Sequence, residues 1–521
     1  MRLCRTMQAI VVLTISAALG GSNSAAQSRS PGDDAGKGIQ LAAAGNWKAA
    51  EIELRKAVEQ KPNEPRVLAA LGTVLLQRQK TAEAVTYLEK AVEIAPADDR
   101  IRLDLAKAEC QAGKLQEARR NLQLVLKHQP NEPQAIMLLG MVAEKSKDYA
   151  EAAKLLTSVP PALSTEPLAV AALARSCYHA GTVEQARSCM APIQSASPQG
   201  IFMAATAAAD AEDFETAEAM LVSIMPAYPD RTSLQYQLAL VQYHAGHLAD
   251  SQTTLMHLIA NGEGNADAHN LLGWCWFKLD DVNQAERELN DAIRLDPASV
   301  TNYLDLARIQ LASRQLDPAL DSARHAVKLF PTSPEAWLLK GSIETAAQRL
   351  ADAVNSYATA VHLTRSDAEA ELAFATAQWL AGMTEQSRAS FHRLLQRYPR
   401  NAAIYVTYGE FLTSVRPGDT EQVAGLMKTA SSLDPTLAEP HYYLGNMALT
   451  SGKLDEAVRQ LEAATQLDPS SSKAHFALSR ALRQQGRGEE SARELGIYQE
   501  LKTAEEGALS PNPPSDSVSG P

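Results

Sequence analysis

Apolar residues fall at helical intervals on both sides of short polar breaks along most of this chain. In one stretch Leu444 and Gly445 precede a break at Gly452, and Ala457, Leu461 and Ala464 follow it. That spacing predicts two helices joined by a turn, each with one apolar face. Pro469 then ends the second helix, because proline lacks the amide donor and its ring clashes with the preceding turn.

The same pattern returns at a fixed period. A column of small residues runs through Gly38, Gly72, Ala106, Gly140, Ala174, Ala205, Ala239, Gly273, Ala307, Gly341, Ala375, Gly409, Gly445 and Ser479. Neighbours are 34 residues apart, except 31 from Ala174 to Ala205 and 36 from Gly409 to Gly445. Twelve residues after each stands another small residue, from Ala50 and Ala84 to Ala457 and Ser491, and only the repeat around Gly409 breaks this column. Pro62-Asn63-Glu64-Pro65 also recurs as Pro130-Asn131-Glu132-Pro133. A single hairpin cannot bury its apolar stripe, whereas stacked neighbours can. The period therefore predicts an all-α solenoid of about fourteen antiparallel helix-turn-helix repeats.

Two stretches carry a family pattern. Trp337, Gly341, Ala353, Tyr357 and Ala360 in one period, and Leu272, Gly273, Ala285, Leu289, Ala292 and Pro297 in another, resemble the tetratricopeptide repeat (TPR). The resemblance covers roughly residues 31 to 500. It implies a right-handed superhelix whose first helices line a concave groove that binds peptides or protein surfaces. The function it implies is a non-catalytic interaction scaffold. It also permits an assembly or export component of a pilus or polysaccharide-secretion machine, or a regulatory arm of an enzyme complex.

Departures from the period locate irregularities. Pro192 lies inside an expected second helix and the next period is short, so a kink or register change is expected between Pro192 and Ala205. Arg416-Pro417-Gly418-Asp419 precedes the long period and predicts an extended turn. Gly36 and Gly38 predict a weak first helix that frays as a terminal cap, and a charged helix around Glu489 to Glu506 is expected to cap the other end. The expected organisation is a signal peptide at 1–26, a short linker at 27–30, an N-terminal TPR segment at 31–197, a C-terminal TPR segment at 198–505 and a disordered Pro/Ser-rich tail at 506–521.

The signal peptide rests on Arg2 and Arg5, the uncharged apolar run Ala9 to Leu19, and Ser24-Ala25-Ala26 before an expected mature terminus at Gln27. Cys4 precedes the apolar run, so it is not a lipoprotein cysteine. The run falls short of the roughly 18 residues that span a bilayer, and no second membrane segment follows. The expected location is periplasmic or secreted. A formal charge of −12 argues against nucleic acid or an anionic membrane surface as partner, since both need a basic footprint. Aromatic residues are only 5% of the chain, so a local concentration of them is informative.

Catalytic spacing is absent: there is no G-x-x-x-x-G-K-[ST], G-x-S-x-G, H-E-x-x-H or C-x-x-C. His269, His441 and His475 share one repeat column, so their recurrence comes from the repeat and no metal site is expected. His244 and His247 flank a glycine turn, and no cofactor is expected. Cys177 and Cys189 fall on the two helices of one hairpin. Antiparallel packing can bring them within disulfide reach, or leave them as two small buried thiols.

Partner binding has two candidate patches. Helical projection of the first helices gathers Tyr236, Leu240 and Tyr243 with Asn270, Trp274 and Phe277 from the next repeat. These are either anchors for a peptide or fillers between repeats. A second patch holds Tyr442, Tyr443 and Asn446, then Phe476, Arg480 and Arg483. An Asn followed one repeat later by two Arg resembles the carboxylate clamp of chaperone-binding repeats, which implies a peptide carboxylate held by bidentate bonds. The other reading of the two arginines is a solvated face.

Overall fold

The turn between the two helices of a hairpin is set by one backbone position, seven residues after the small residue of the first column. That residue adopts a left-handed conformation at Gly45, Gln79, Gly113, Lys147, Glu212, Gly246, Asp280, Arg314, Gln348, Gly382, Gly452 and Gly486. Around the turns, the computed structural model describes residues 34–163, 166–364, 366–416 and 418–509. Twenty-nine α-helices and one 3₁₀ segment make up the described residues, and no strand occurs among them. In chain order the long helices fall into fourteen pairs. The expected signal peptide, the linker and the chain beyond residue 509 lie outside the described residues. No described helix is long and apolar enough to cross a membrane.

Helix starts follow their local chemistry. Pro65, Pro133, Pro167, Pro198 and Pro334 occupy the first turn, where a missing amide costs nothing. Asp98, Asp213, Asp230, Asn265 and Asp367 accept hydrogen bonds from the exposed amides that follow them.

The chain forms two compact units, residues 1–281 and 282–521. The expected segments 31–197 and 198–505 meet inside the first of these units. Packing around Pro192 explains this: Leu156, Val159, Leu163, Leu173, Met190, Ile193 and Ala204 share one core cluster. The irregularity lies in the backbone alone. The second helix of that hairpin stops at Cys189, and Pro192 sits in a 3₁₀ segment, Ala191–Ser195, so the helix is cut short instead of kinked.

Within each unit, small residues of the first column face a large residue sixteen positions later. A Cβ built on Gly72 would lie 2.5 Å from Leu88 Cγ, and one on Gly445 would lie 2.6 Å from Leu461 Cγ. Gly38 stands in the same relation to Leu54, so the first helix, Asp34–Ala43, is docked through the glycine expected to weaken it. The second column also makes hydrogen bonds that periodicity alone does not reveal. Where it holds serine, the hydroxyl donates to the carbonyl of the facing first-column residue: Ser251 to Ala239, Ser387 to Ala375, Ser491 to Ser479, all at 2.7–2.9 Å. The helices Ala402–Val415 and Thr420–Leu433 are separated by a longer connection than in most hairpins, matching the extra length there. The last helix, Gly488–Leu509, runs through the first four residues of the expected tail.

Candidate functional site

Six of the fourteen hairpins carry a polar or covalent tie between their helices at the same two positions, three and fifteen residues after the first-column residue. Asn121 donates to both carboxylate oxygens of Glu109 at 3.0 and 2.8 Å. Thr254 donates to Gln242, Ser322 to Gln310, Ser356 to Glu344 and Ser390 to Gln378, at 2.6–3.0 Å. In the hairpin of Pro167–Ala180 the two positions are Cys177 and Cys189. Their sulfurs lie 2.13 Å apart with Cα atoms 5.9 Å apart, as a disulfide. Cys110 and Cys275 are free and buried. Reduction of Cys177–Cys189 is expected to destabilise this hairpin by about 3 kcal/mol, since its second helix has too few residues to hold on packing alone. Hydrogen exchange over 183–193, with and without reductant, measures this; unchanged protection would contradict it.

In the last two hairpins the histidine column ties the first helix to the second helix of the same hairpin. His475 bonds Glu494 through Nδ1 at 2.6 Å and the Pro469 carbonyl through Nε2 at 3.1 Å. Tyr303, Trp337 and Tyr405, at the same repeat position, donate to the carbonyls of Pro297, Pro331 and Pro399. His441 contacts Gln460 at 2.7 Å. His247 bonds Glu218 at 2.9 Å, whereas His244 stacks on Phe214 and burial pushes its pKa down.

The first patch lies on the helices Arg231–Ala245 and Ala266–Lys278. Tyr236, Leu240, Tyr243, Asn270, Trp274 and Phe277 are all half-buried. Tyr236, Leu240 and Tyr243 pack on the cluster of Ala239, Leu255, Leu258, Leu271 and Cys275, and so does Trp276. Burial raises the pKa of the Tyr236 phenol, with Asp267 adding to the shift. Trp274 meets Phe277 edge-on, ring centres 5.8 Å apart. These rings are part core and part surface, so the two sequence readings meet in the same residues.

The second patch is more open. Tyr442 and Tyr443 meet edge-on at 5.2 Å, and the ammonium of Lys473 sits 5.2 Å over the Tyr442 ring. Phe476 is 41% exposed, with its ring 4.9 Å from that of Tyr498. Arg480 and Arg483 are exposed on the helix Ser472–Gln484, which packs on Ala438–Thr450, the helix of Tyr442 and Asn446. Neither arginine forms an ion pair among the described residues, in contrast to Arg175, Arg397 and Arg487. Sequence reasoning missed three neighbours. Glu410 shares a repeat position with Asn446 and Arg480, one residue after the small column, and Glu439 and Lys473 share another, six residues before it. The column register was the signal that could have found them. Tyr443 donates to Glu410 at 3.3 Å; burial raises the Glu410 carboxyl pKa, against the opposing pull of Lys473 and the Tyr443 hydroxyl, and Glu439 adds a smaller rise.

A stack of helical hairpins with opened side-chain patches on its first helices defines a repeat protein whose surface is built for contact. Residues 47–167 match the family model of the cytochrome c-type biogenesis protein H TPR domain. Residues 236–300, 304–369 and 442–498 match one tetratricopeptide repeat model, and 369–401 match another. These matches cover more than half of the chain, and it belongs to the tetratricopeptide repeat family. No curated protein matches the sequence. Among solved structures, yeast Tom70 is similar at 18% identity and a TM-score of 0.40, over 91% of this chain and 96% of that one. Cut9–Hcn1, a hetero-tetramer of APC/C, gives 14% identity and a TM-score of 0.36, over 89% and 92%. The C-terminal part of a TPR repeat-containing protein from Cytophaga hutchinsonii gives 15% identity and a TM-score of 0.36, over 47% and 99%.

Proposed function

We propose that this scaffold holds a partner through an acidic or carboxylate-ended peptide on the face formed by Tyr442, Asn446, Phe476, Arg480 and Arg483. The observation that carries the reading is the pair of exposed arginines left without carboxylates beside the exposed Phe476 ring and the half-buried Tyr442 ring. A guanidinium presents paired donors that match a carboxylate, and a free one gains most from a ligand that supplies it. The aromatic surface beside it offers apolar contact of the kind interface anchors use.

The test is fluorescence anisotropy with a labelled synthetic peptide ending in two acidic residues and a free carboxylate. Arg480→Ala/Arg483→Ala is expected to weaken binding about tenfold or more, because two charge-assisted contacts are lost. Undiminished binding in that variant, or none in the wild type, would overturn the reading. The first patch is a second contact surface in this proposal. Tyr243→Ala/Trp274→Ala/Phe277→Ala is expected to lose crosslinked partners while retaining helical content.

The chain acts, in this proposal, in the periplasm or outside the cell without catalysis of its own. The segment at 1–26 and the Cys177–Cys189 bond support export, since disulfides persist in oxidising compartments. Mass spectrometry of protein recovered from the cell envelope should find Gln27 at its N-terminus. A second reading follows the match of residues 47–167, in which the partner belongs to cytochrome c-type biogenesis. Partners captured through a pilus or polysaccharide-secretion machine would favour the assembly alternative instead.

A further inference from the structure

The face that holds Arg480 and Arg483 is not uniformly basic. Its other end, on the helix Ala402–Val415 and the start of Ala438–Thr450, presents Glu410 and Glu439. Glu410 is half-buried and accepts the Tyr443 hydroxyl, and neither carboxylate forms an ion pair among the described residues. Lys473, the cation nearest to them in repeat position, is held over the Tyr442 ring, from where its charge reaches Glu410 without forming an ion pair. Tyr442 and Phe476 occupy the middle. The face therefore reads acidic, aromatic, basic across the first helices of three successive repeats.

We propose that this face selects a partner segment charged at both ends: a lysine or arginine seated at Glu410 and Glu439, an apolar residue against Tyr442 and Phe476, and a carboxylate at Arg480 and Arg483. The inference rests on the acidic-peptide reading above and adds the cation and its register. Neighbouring packed helices lie about 10 Å apart, so the two ends are separated by roughly 20 Å. An extended chain advances about 3.3 Å per residue, which places the basic residue about six positions before the carboxylate. Charge complementarity argues for this occupant over a uniformly acidic one. Such a segment would meet two partly buried carboxylates at its far end, and like charge there costs binding.

Three labelled synthetic peptides test the proposal: one with lysine about six positions before a C-terminal aspartate and leucine between them, one with that lysine replaced by alanine, and one with the lysine moved beside the aspartate. The first is expected to bind the wild type about fivefold more tightly than the second, the scale of a partly exposed ion pair. Glu410→Gln/Glu439→Gln is expected to abolish that difference while binding the lysine-free peptide at least as well. Glu439→Gln alone keeps the Tyr443 hydrogen bond and should lose part of the preference, which covers the case of a misfolded double variant. Equal affinity for all three peptides, with binding still lost in Arg480→Ala/Arg483→Ala, overturns this inference and leaves the acidic-peptide reading standing. No binding of any peptide by the wild type overturns both.

Discussion

Replacing Gly72 with leucine is expected to destabilise its hairpin by about 3 kcal/mol, the upper part of the usual range for overpacking. A Cβ at this position meets Leu88 Cγ at 2.5 Å and Leu88 Cδ1 at 3.1 Å, and Leu88 is fully buried. Leu88 cannot swing into solvent, so the two helices must separate. The gain in helix propensity on replacing glycine is about 1 kcal/mol and does not offset this. Because repeats contact mainly their neighbours, the damage should be local. Hydrogen exchange across Pro65–Ile94 is the measurement, with the helices of the second unit as internal reference. Gly72→Leu/Leu88→Ala should be less destabilised than the sum of its single changes, because removing Leu88 opens the space the new side chain needs. Additive single effects would show that the two positions do not share a space.

Asp213→Ala is expected to cost about 2 to 3 kcal/mol at neutral pH. Its carboxylate is almost wholly buried and serves three partners at once. Arg187 binds it with Nη2 at 2.5 Å and Nε at 3.0 Å, the Tyr178 hydroxyl donates at 2.7 Å, and the Thr216 amide donates as the cap of Phe214–Ile224. Removing it leaves the Tyr178 hydroxyl without its acceptor and the helix without its cap. Arg187 is 42% exposed and regains water, which keeps the estimate below that for a fully buried pair.

The same site fixes a pH dependence. Burial by itself would raise the Asp213 carboxyl pKa, but Arg187, Tyr178 and Thr216 together lower it from 3.8 to about 2. A folded-state value below the unfolded one means the contribution is full above about pH 4 and is lost as pH falls towards 2. The gap between wild type and Asp213→Asn in urea melts or local exchange should therefore narrow between pH 4 and pH 2. A gap that stays constant across that window would show that the charge of Asp213 contributes nothing.

Much of this architecture was legible in the chain. The two small columns predicted which helix faces meet, and the structure buries Ala50, Ala84, Ala118, Ala152, Ala285 and Ala457 completely. Pro192 predicted a kink or register change; the helix ends at Cys189 instead, and the 3₁₀ segment holding Pro192 shares a core with the residues on both sides of it. The difference is physical: a proline acts on its own backbone, whereas a domain boundary depends on whether distant side chains still share a core.

The candidate site was legible in part. Arg480, Arg483, Tyr442 and Phe476 could be gathered from register, because residues one turn apart on equivalent helices fall on one face. Their exposure could not, since periodicity gives the direction of a side chain and not what covers it. Glu410 and Glu439 were missed for the same reason: acidic residues are common on solvated faces, and only the fold placed Tyr443 against one of them. The sequence by itself determined the helical hairpin, its period and its stacking, because these depend on spacing of apolar and small residues within reach of one turn or one neighbour. Only the tertiary structure decided which polar residues tie the hairpins, which arginines stay free and where the chain divides, because each depends on contacts between side chains far apart in sequence.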